Sequence, residues 1–319
     1  MEQKQNEATA EKIVLASPRG FCAGVDRAIE IVKRAIDKLG VPIYVRHEVV
    51  HNDFVVDSLK AKGARFIKSL DDAPHGANVV FSAHGVSITV KNKAKKKNLN
   101  ILDATCPLVT KVHKQVRNYA KAQMEVILIG HAGHPEVEGT LGQFENNKGA
   151  IYLVETVADA KNLKPIRPDK LAYVSQTTLS LDDTQEIVKV LKQKYPDIKS
   201  PKKDDICYAT QNRQNAIRAI VSEVDLMLIV GSPNSSNSNR LRELAGKMGK
   251  PAHLINNTTE IADYWLHNIK NVGVSSGASA PEFLVQEVIT YLEQKGFSYN
   301  KDKPRTTEKI KFPLPIELR

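Results

Sequence analysis

Short apolar runs alternate with longer amphipathic stretches along this chain, and the alternation predicts an α/β fold. Residues 13–16, 125–129 and 225–230 are nearly continuous apolar runs of strand length, and the last is typical of a strand covered on both faces. The first amphipathic stretch has a helical stripe of apolar residues at Val25, Ala28, Ile29, Val32, Ala35, Ile36 and Leu39. Strands that alternate with helices across short glycine-bearing turns indicate parallel sheets, in which ligands collect at the carboxyl ends of the strands.

All three cysteines of the chain occupy the same kind of position, where an extended run gives way to a predicted helix. Cys22 and Cys207 each follow a short extended segment and precede an amphipathic stretch. Cys106 is followed by Pro107, which is a favoured first residue of a helix. Three equivalent positions predict an internal repeat.

Two polar segments follow each cysteine at predicted strand ends, and we call these segments the first and second elbows. The first elbows carry His51, His134 and Ser235, which lie 29, 28 and 28 residues after their cysteines. The second elbows carry His84, Thr177 and Ser279, which lie 62, 71 and 72 residues after the same cysteines. The spacing predicts three related α/β lobes that bring the three thiols to one centre.

The repeat divides the chain into three lobes between two short end segments. We place the lobes at residues 13–106, 107–203 and 204–297. Residues 1–12 are polar and lack the apolar core of a targeting peptide, so we expect a disordered tail. Residues 298–319 are polar and contain prolines, which predicts a strap across the surface and not a further lobe.

Composition and charge narrow the setting in which the protein works. No apolar run approaches the ~18 residues that a membrane span needs, so we expect no membrane partner. Three cysteines, an odd number, do not form a disulfide framework, and we expect a cytoplasmic protein. The net charge of +10 favours anionic substrates and an acidic protein partner, although lysine runs are often only solvated faces. Aromatic residues make up 6% of the chain and none is interleaved with the lysine clusters, so we expect no nucleic-acid partner.

The cysteines carry the clearest chemical signal. A helix N-terminus stabilises a thiolate, and three thiolates that face one another need a cation between them, either zinc or an iron–sulfur cluster. No Cys-x2-Cys pair occurs, which disfavours a zinc ribbon. A four-iron cluster held by three thiolates keeps one iron without a protein ligand, and such an iron can bind a substrate oxygen. We therefore infer a substrate-binding cluster.

The elbows supply donors for an anionic substrate and a candidate acid. Ser235, Ser236 and Asn237 lie between a strand and a helix, an arrangement that suits phosphate. Further candidate donors at elbows are His51, His84 and Ser279. Glu136 lies two residues after His134 in a glycine-rich turn and is a candidate proton donor, because reductive removal of a hydroxyl consumes protons.

Eight motifs of this chain resemble those of the 4-hydroxy-3-methylbut-2-enyl diphosphate reductase family. They are PRGFCAGV at residues 18–25, RHEVVHN at 46–52, FSAHGV at 81–86, DATCPLV at 103–109, GHAGHPE at 130–136, KDDICYAT at 203–210, GSPNSSNSNR at 231–240 and GASAP at 277–281. The motifs occur in the order typical of the family, and the resemblance spans residues 13–285.

The resemblance implies a pseudo-threefold arrangement of three mainly parallel α/β lobes around a four-iron, four-sulfur cluster, one per chain. The cluster would be bound by Cys22, Cys106 and Cys207, and its fourth iron would meet the substrate's allylic hydroxyl. The implied reaction reduces (E)-4-hydroxy-3-methylbut-2-enyl diphosphate to isopentenyl and dimethylallyl diphosphate plus water, with two electrons and two protons. This reaction is the last step of the non-mevalonate isoprenoid pathway.

The resemblance also implies a role for each candidate side chain. Glu136 would deliver the proton, with Thr177 and His134 assisting near the hydroxyl. The diphosphate would be bound by His51, His84, Ser235, Ser236, Asn237 and Ser279. The electrons would come from a ferredoxin or flavodoxin, which is typically acidic and so agrees with the positive net charge.

Three alternatives stay open from the residues alone. A cluster-dependent hydro-lyase acting on a phosphorylated substrate would use the same open iron but would need no reductant. A cluster-bearing sensor would use the basic surface to bind nucleic acid. A structural zinc protein would contain neither iron nor sulfide.

Overall fold

The computed structural model describes residues 11–146, 148–299, 306 and 308–319 of the 319-residue chain. The predicted disordered tail at residues 1–12 therefore lies outside the described residues, apart from Glu11 and Lys12. Lys12 is the first residue of a strand.

Helices and strands alternate through the described part of the chain, as the apolar pattern predicts. The helices are α1 (Ala23–Leu39), α2 (Asp53–Ala61), α3 (Ile88–Lys96), α4 (Pro107–Lys121), α5 (Pro135–Leu141), α6 (Val157–Asn162), α7 (Leu181–Lys194), α8 (Tyr208–Ile220), α9 (Ser236–Lys247) and α10 (Glu282–Gln294). The strands are β1 (Lys12–Leu15), β2 (Ile43–Arg46), β3 (Ala64–Ile67), β4 (Asn78–Phe81), β5 (Asn100–Asp103), β6 (Glu125–Ile129), β7 (Ile151–Val154), β8 (Leu171–Ser175), β9 (Leu226–Val230), β10 (Ala252–Ile255), β11 (Asn271–Ser276) and β12 (Ser298–Tyr299).

The strands form three sheets, and every strand pair in them is parallel. The sheets have the orders β3-β2-β4-β5, β7-β6-β8 and β10-β9-β11-β1-β12. The predicted fold class, α/β with mainly parallel sheets, is confirmed. Central strands β6 and β9 are buried along their whole length, which explains their nearly continuous apolar sequences.

The three sheets share one topology, and the N-terminal strand β1 takes part in the sheet formed by the end of the chain. Strand β5 lies beside β4 in the four-stranded sheet. Strand β1 has the corresponding place beside β11 in the five-stranded sheet, with Ile13 opposite Val272. In the three-stranded sheet an isolated parallel bridge between Ala172 and Lys199 occupies this position beside β8. Each of these edge segments leads along the chain to one of the three cysteines.

The assignment of residues 13–16 to the first lobe was therefore wrong. Their hydrogen bonds go to the sheet of β9 and β11, which is formed by the last third of the chain. Pairing between segments so distant in sequence is not encoded in local apolar periodicity. The other lobe boundaries stay a prediction.

Two compact units contain the sheets. One comprises Met1–Cys22 and Ala209–Lys309 and contains the five-stranded sheet, and the other comprises Ala23–Tyr208 and Ile310–Arg319 and contains the remaining two. In the first unit Ile217 of α8 packs with Met227 and Ile229 of β9. In the second unit the buried face of α4 packs similarly against β6. Each such buried side chain contributes roughly 1.5–3 kcal/mol of hydrophobic stabilisation.

The C-terminal segment of the second unit contacts helix α1. Arg27, Arg34 and Lys38 of this helix donate to the backbone carbonyls of Pro313, Leu318 and Arg319. The strap predicted at residues 298–319 stays a prediction as a whole. In the described residues, no helix is both long and apolar enough to cross a membrane.

Candidate functional site

Each cysteine lies directly at the start of a helix, as the sequence predicts. Helices α1, α4 and α8 begin at the residues after Cys22, Cys106 and Cys207. All three side chains are half-buried. Each cysteine therefore lies at the positive end of a helix dipole, where negative charge is stabilised.

The backbone N–H of each cysteine also donates to a backbone carbonyl of a second elbow. The Cys106 N–H donates to the Ala83 carbonyl, next to His84, over 3.0 Å, and the Cys207 N–H donates to the Thr177 carbonyl over 3.0 Å. In the other unit the Cys22 N–H donates to the Ala278 carbonyl, next to Ser279, over 3.3 Å.

Each cysteine is the first residue of one repeat, but its N–H binds a second elbow that belongs to another repeat. From the sequence, each cysteine was paired with the elbows that follow it, so this hydrogen bonding between repeats was not predicted. It follows from the topology, because β5, β1 and the Lys199 bridge each lie beside the strand that ends in a second elbow.

Three histidines from different elbows form one cluster in the second unit. The ring centroids of His51 and His84 lie 4.3 Å apart in a stacked arrangement, and His134 lies 5.4 and 5.6 Å from them, edge-on. Burial lowers the pKa of His134 to about 3 and that of His84 well below its usual value, with a further contribution from the neighbouring histidines. Both rings are therefore neutral at pH 7.

Local hydrogen bonds orient two of these rings. The Nδ1 atom of His134 accepts from the backbone N–H of Glu136 over 3.1 Å, so His134 caps helix α5. A neutral His134 must then carry its proton on Nε2, where it can donate to a ligand. The Nδ1 atom of His51 lies 2.9 Å from the carboxylate of Glu48. Sequence reasoning gave Glu48 no role, although its place three residues before a candidate histidine was a signal.

Glu136 is buried beside Thr177 in the same unit. Its carboxyl accepts from the Thr177 backbone N–H over 2.7 Å and from the Thr177 hydroxyl over 3.0 Å. Burial raises the pKa of Glu136 to about 7, although both hydrogen bonds from Thr177 act in the opposite direction. A carboxyl group with this pKa can hold a proton near neutral pH, as a general acid requires.

A second polar set lies in the first unit, where helix α9 begins. Ser235 caps this helix, and its hydroxyl accepts from the Ser238 N–H over 3.3 Å. The hydroxyl of Ser279 lies 3.3 Å from that of Ser235, so the first and second elbows of this repeat meet. A Cβ atom on Gly277 would collide with the Ser238 hydroxyl, which explains glycine at this close approach.

Asn237 completes this set with an unusual feature. Its side chain is 4% exposed, yet among the described residues neither its amide nitrogen nor its amide oxygen has a hydrogen-bond partner. A buried amide without partners costs about 1–3 kcal/mol, so such a group in a native fold needs an explanation. An anion at the start of α9 would accept from the amide nitrogen. Ser236 is half-buried in the first turn of the same helix.

A family model described as LytB protein matches residues 13–293 of the chain. The chain belongs to the LytB family.

Curated LytB relatives match it over nearly their whole length. A protein of Pseudoalteromonas translucida, named 4-hydroxy-3-methylbut-2-enyl diphosphate reductase, is 58% identical over 97% of this chain and 100% of its own. A protein of the same name from Chromohalobacter salexigens is 57% identical over 97% of this chain and 98% of its own. The chain is thus an enzyme of a reductase family, as the motif resemblance implies.

Solved structures support the same assignment. The E-1-hydroxy-2-methyl-but-2-enyl-4-diphosphate reductase from Plasmodium falciparum has a TM-score of 0.92 and 39% identity and covers 97% of each chain. A second structure is titled (E)-4-hydroxy-3-methyl-but-2-enyl diphosphate reductase, the terminal enzyme of the non-mevalonate pathway. It has a TM-score of 0.62 and 30% identity and covers 89% of this chain and 99% of its own.

The residues of this LytB chain fit the iron–sulfur cluster that its family implies. The fit rests on the donor chemistry: Cys22, Cys106 and Cys207 are half-buried thiols at helix starts, and thiolates are the usual ligands of such clusters. Among the described residues, no three His, Cys, Asp or Glu side chains converge closely enough to hold a single metal ion.

Proposed function

We propose that this LytB-family enzyme reduces (E)-4-hydroxy-3-methylbut-2-enyl diphosphate to isopentenyl and dimethylallyl diphosphate. In this reaction the allylic C–O bond breaks, two electrons and two protons are consumed, and the hydroxyl leaves as water. The names of the curated relatives support the substrate, and the geometry around Glu136 supports the proton chemistry.

The observation that carries the proposal is the double role of Thr177. Its N–H and hydroxyl hold the carboxyl of Glu136, while its carbonyl accepts the N–H of Cys207. Thr177 therefore joins a buried acid with a pKa of about 7 to the backbone of Cys207. Reductive removal of a hydroxyl needs its proton donor to be held close to its redox centre, and this residue would connect the two.

Cys22, Cys106 and Cys207 would hold the cluster, which when bound supplies the electrons and a Lewis acid for the hydroxyl oxygen. The side chain of Glu136 holds a proton for the leaving hydroxyl. His134 would donate from Nε2, and the Thr177 hydroxyl would help to orient the substrate's hydroxyl end. Burial of Glu136 keeps this acid away from bulk water.

Two sets of donors support binding of the diphosphate. One set comprises His51 and His84, whose stacked rings offer N–H donors, and the neutral ring of buried His84 can take up a proton as a polyanion approaches. The other comprises Ser235, Ser236, Asn237 and Ser279 around the N-terminus of α9, where the helix dipole favours negative charge. The net charge of +10 also supports an acidic ferredoxin or flavodoxin as the electron donor.

Turnover with and without reductant tests this function. The reconstituted enzyme should convert the hydroxylated diphosphate to the two isoprenoid diphosphates only when a low-potential reductant is supplied. Consumption of the substrate without reductant, by loss or addition of water and without formation of the two isoprenoid diphosphates, would contradict the proposal and support the hydro-lyase alternative. The Glu136→Gln enzyme provides the matched control, because it should keep the cluster and lose most of the turnover.

A further inference from the structure

Three cationic side chains outside the candidate site make equivalent hydrogen bonds to the residues that directly precede the cysteines. We call residues 20–21, 105 and 203–205, which lead into Cys22, Cys106 and Cys207, the cysteine segments. Each cation lies on a helix that begins after one cysteine and donates to backbone carbonyl oxygen in the segment of a different cysteine. The cations are Arg27, Lys111 and Arg213, which lie five residues after Cys22, five after Cys106 and six after Cys207.

Arg213 shows the contact most completely, within the first unit. Its guanidinium donates to the carbonyl of Gly20 over 2.6 and 3.1 Å and to that of Phe21 over 3.3 Å. These are the two residues before Cys22. The Arg213 side chain is fully buried, and its charge is balanced by both carboxylate oxygens of Glu308 at 3.2–3.3 Å. A buried guanidinium without such partners would be strongly destabilising.

Lys111 makes the equivalent contact in the second unit. Its ammonium donates to the carbonyls of Lys203 and Asp204, both over 2.9 Å, in the segment that leads into Cys207. It also forms an ion pair with the buried carboxylate of Asp205 at 3.1 Å. Asp205 in turn accepts from the Ser175 N–H over 3.2 Å, which ties the segment to the end of β8.

Arg27 makes the third contact, also in the second unit. Its guanidinium donates to the carbonyl of Thr105, the residue before Cys106, over 3.2 Å. It donates as well to the Pro313 carbonyl over 2.7 Å. The contacts therefore run in a cycle: the helix after Cys22 holds the Cys106 segment, the helix after Cys106 holds the Cys207 segment, and the helix after Cys207 holds the Cys22 segment.

We propose that Arg27, Lys111 and Arg213 are positioning residues that fix the three cysteine segments for binding of an iron–sulfur cluster. None of them needs to touch a sulfur atom to act in this way, because a cysteine's reach is set by the backbone from which it projects. Outer partners of this kind orient metal ligands, and their loss lowers metal affinity. Their positive charges also favour the reduced cluster, which carries more negative charge than the oxidised one.

The inference rests on the proposed cluster site. Its test uses Lys111, because this side chain is 34% exposed and tolerates replacement better than the buried Arg213. Reconstituted Lys111→Gln, Lys111→Arg and Lys114→Gln enzymes are compared with the wild type. Lys114 lies exposed on the same helix and is the matched control. Two quantities are measured: the rate of iron release to a chelator and the reduction potential of the cluster.

We expect Lys111→Gln to release iron at least about tenfold faster, the lower end of the effect seen when outer partners of metal ligands are removed. Its reduction potential should become more negative, while Lys111→Arg restores both quantities and Lys114→Gln changes neither. Arg27→Gln should behave like Lys111→Gln.

Equal iron release and equal potential in Lys111→Gln and Lys114→Gln would overturn the inference and leave the proposed function intact. Faster release that follows unfolding, with an unchanged potential, would also overturn it, because that result indicates a role in stability alone. A wild-type protein that takes up no cluster would overturn the inference and the proposed function together.

Discussion

Thr177 donates two hydrogen bonds to the buried carboxyl of Glu136, from its backbone N–H over 2.7 Å and from its hydroxyl over 3.0 Å. Both bonds favour the charged carboxylate, yet burial dominates and raises the pKa of Glu136 to about 7. The carboxyl is thus held in a fixed direction and can release a proton near neutral pH.

Replacing Glu136 by glutamine should remove most of the activity without removing the cluster. Glutamine keeps the shape and can still accept from Thr177, but it has no acidic proton. General acids typically contribute 10²–10⁴-fold to a rate, so we expect a loss of about that size in kcat. Steady-state kinetics and iron content measure the two effects. Wild-type kcat in this variant would remove Glu136 from the proton-donor role.

The wild-type rate should also depend on the protonation of Glu136. Because the protonated carboxyl is the active form, kcat should fall as the pH rises through about 7. The residual rate of Glu136→Gln should lack this decrease. A pH–rate profile from pH 6 to 9 for both enzymes, with a reductant whose potential is held constant, checks the prediction. The same decrease in both enzymes would assign it to another group.

Burial of Glu136 should make folding stability depend on pH in a defined direction. The pKa of Glu136 in the folded protein, about 7, lies above its ordinary value of 4.5. The favourable contribution of this carboxyl to folding stability is therefore fully present below pH 4.5 and is lost as the pH rises through 7. Glu136→Gln should therefore gain stability relative to wild type above pH 7, on the order of 3 kcal/mol at 1.36 kcal/mol per pKa unit. Urea unfolding of the cluster-free proteins at pH 4.5 and 8 measures the difference. A gain that is equal at both pH values would contradict this account.

The buried histidines should produce the opposite dependence. The pKa values of His84 and His134 are lowered by burial, so their contribution to stability is present above the ordinary value of 6.5 and is lost as the pH falls below it. We expect His84→Asn to weaken the loss of stability between pH 6.5 and 4. His75→Asn, at an exposed histidine, is the control and should leave the loss unchanged. Unfolding midpoints of the wild type and both variants are measured across this pH range. Identical dependence of the midpoint on pH in the two variants would be evidence against a neutral buried His84.

Asn237 should favour binding at the expense of stability. Its amide lacks partners among the described residues, so Asn237→Ala should unfold no more easily than wild type in the absence of ligand. Its KM for the diphosphate should rise by about 10–100-fold, because a hydrogen bond to a charged group is worth about 1.5–3 kcal/mol. Asn234→Ala, at an exposed residue of the same loop, should change neither quantity. An unchanged KM in Asn237→Ala would exclude the amide from binding.

The sequence predicted those parts of the structure that depend on local pattern. Apolar periodicity predicted the alternating strands and helices, and spacing placed His51, His84 and His134 at elbows, which the structure brings together. Pairing of β1 with β11 escaped prediction because it joins segments more than 250 residues apart. The contacts of Arg27, Lys111 and Arg213 escaped it too, because a cation in the second turn of an amphipathic helix is ordinary until its carbonyl partners are known.

Mössbauer spectroscopy can show whether the three cysteines hold a cluster that engages the substrate. Iron-57-labelled protein is prepared without oxygen and measured with and without the hydroxylated diphosphate. We expect a four-iron cluster in which a single iron changes its signal when the substrate is added. Absence of a four-iron cluster, or a cluster whose four irons all ignore the substrate, would contradict the account.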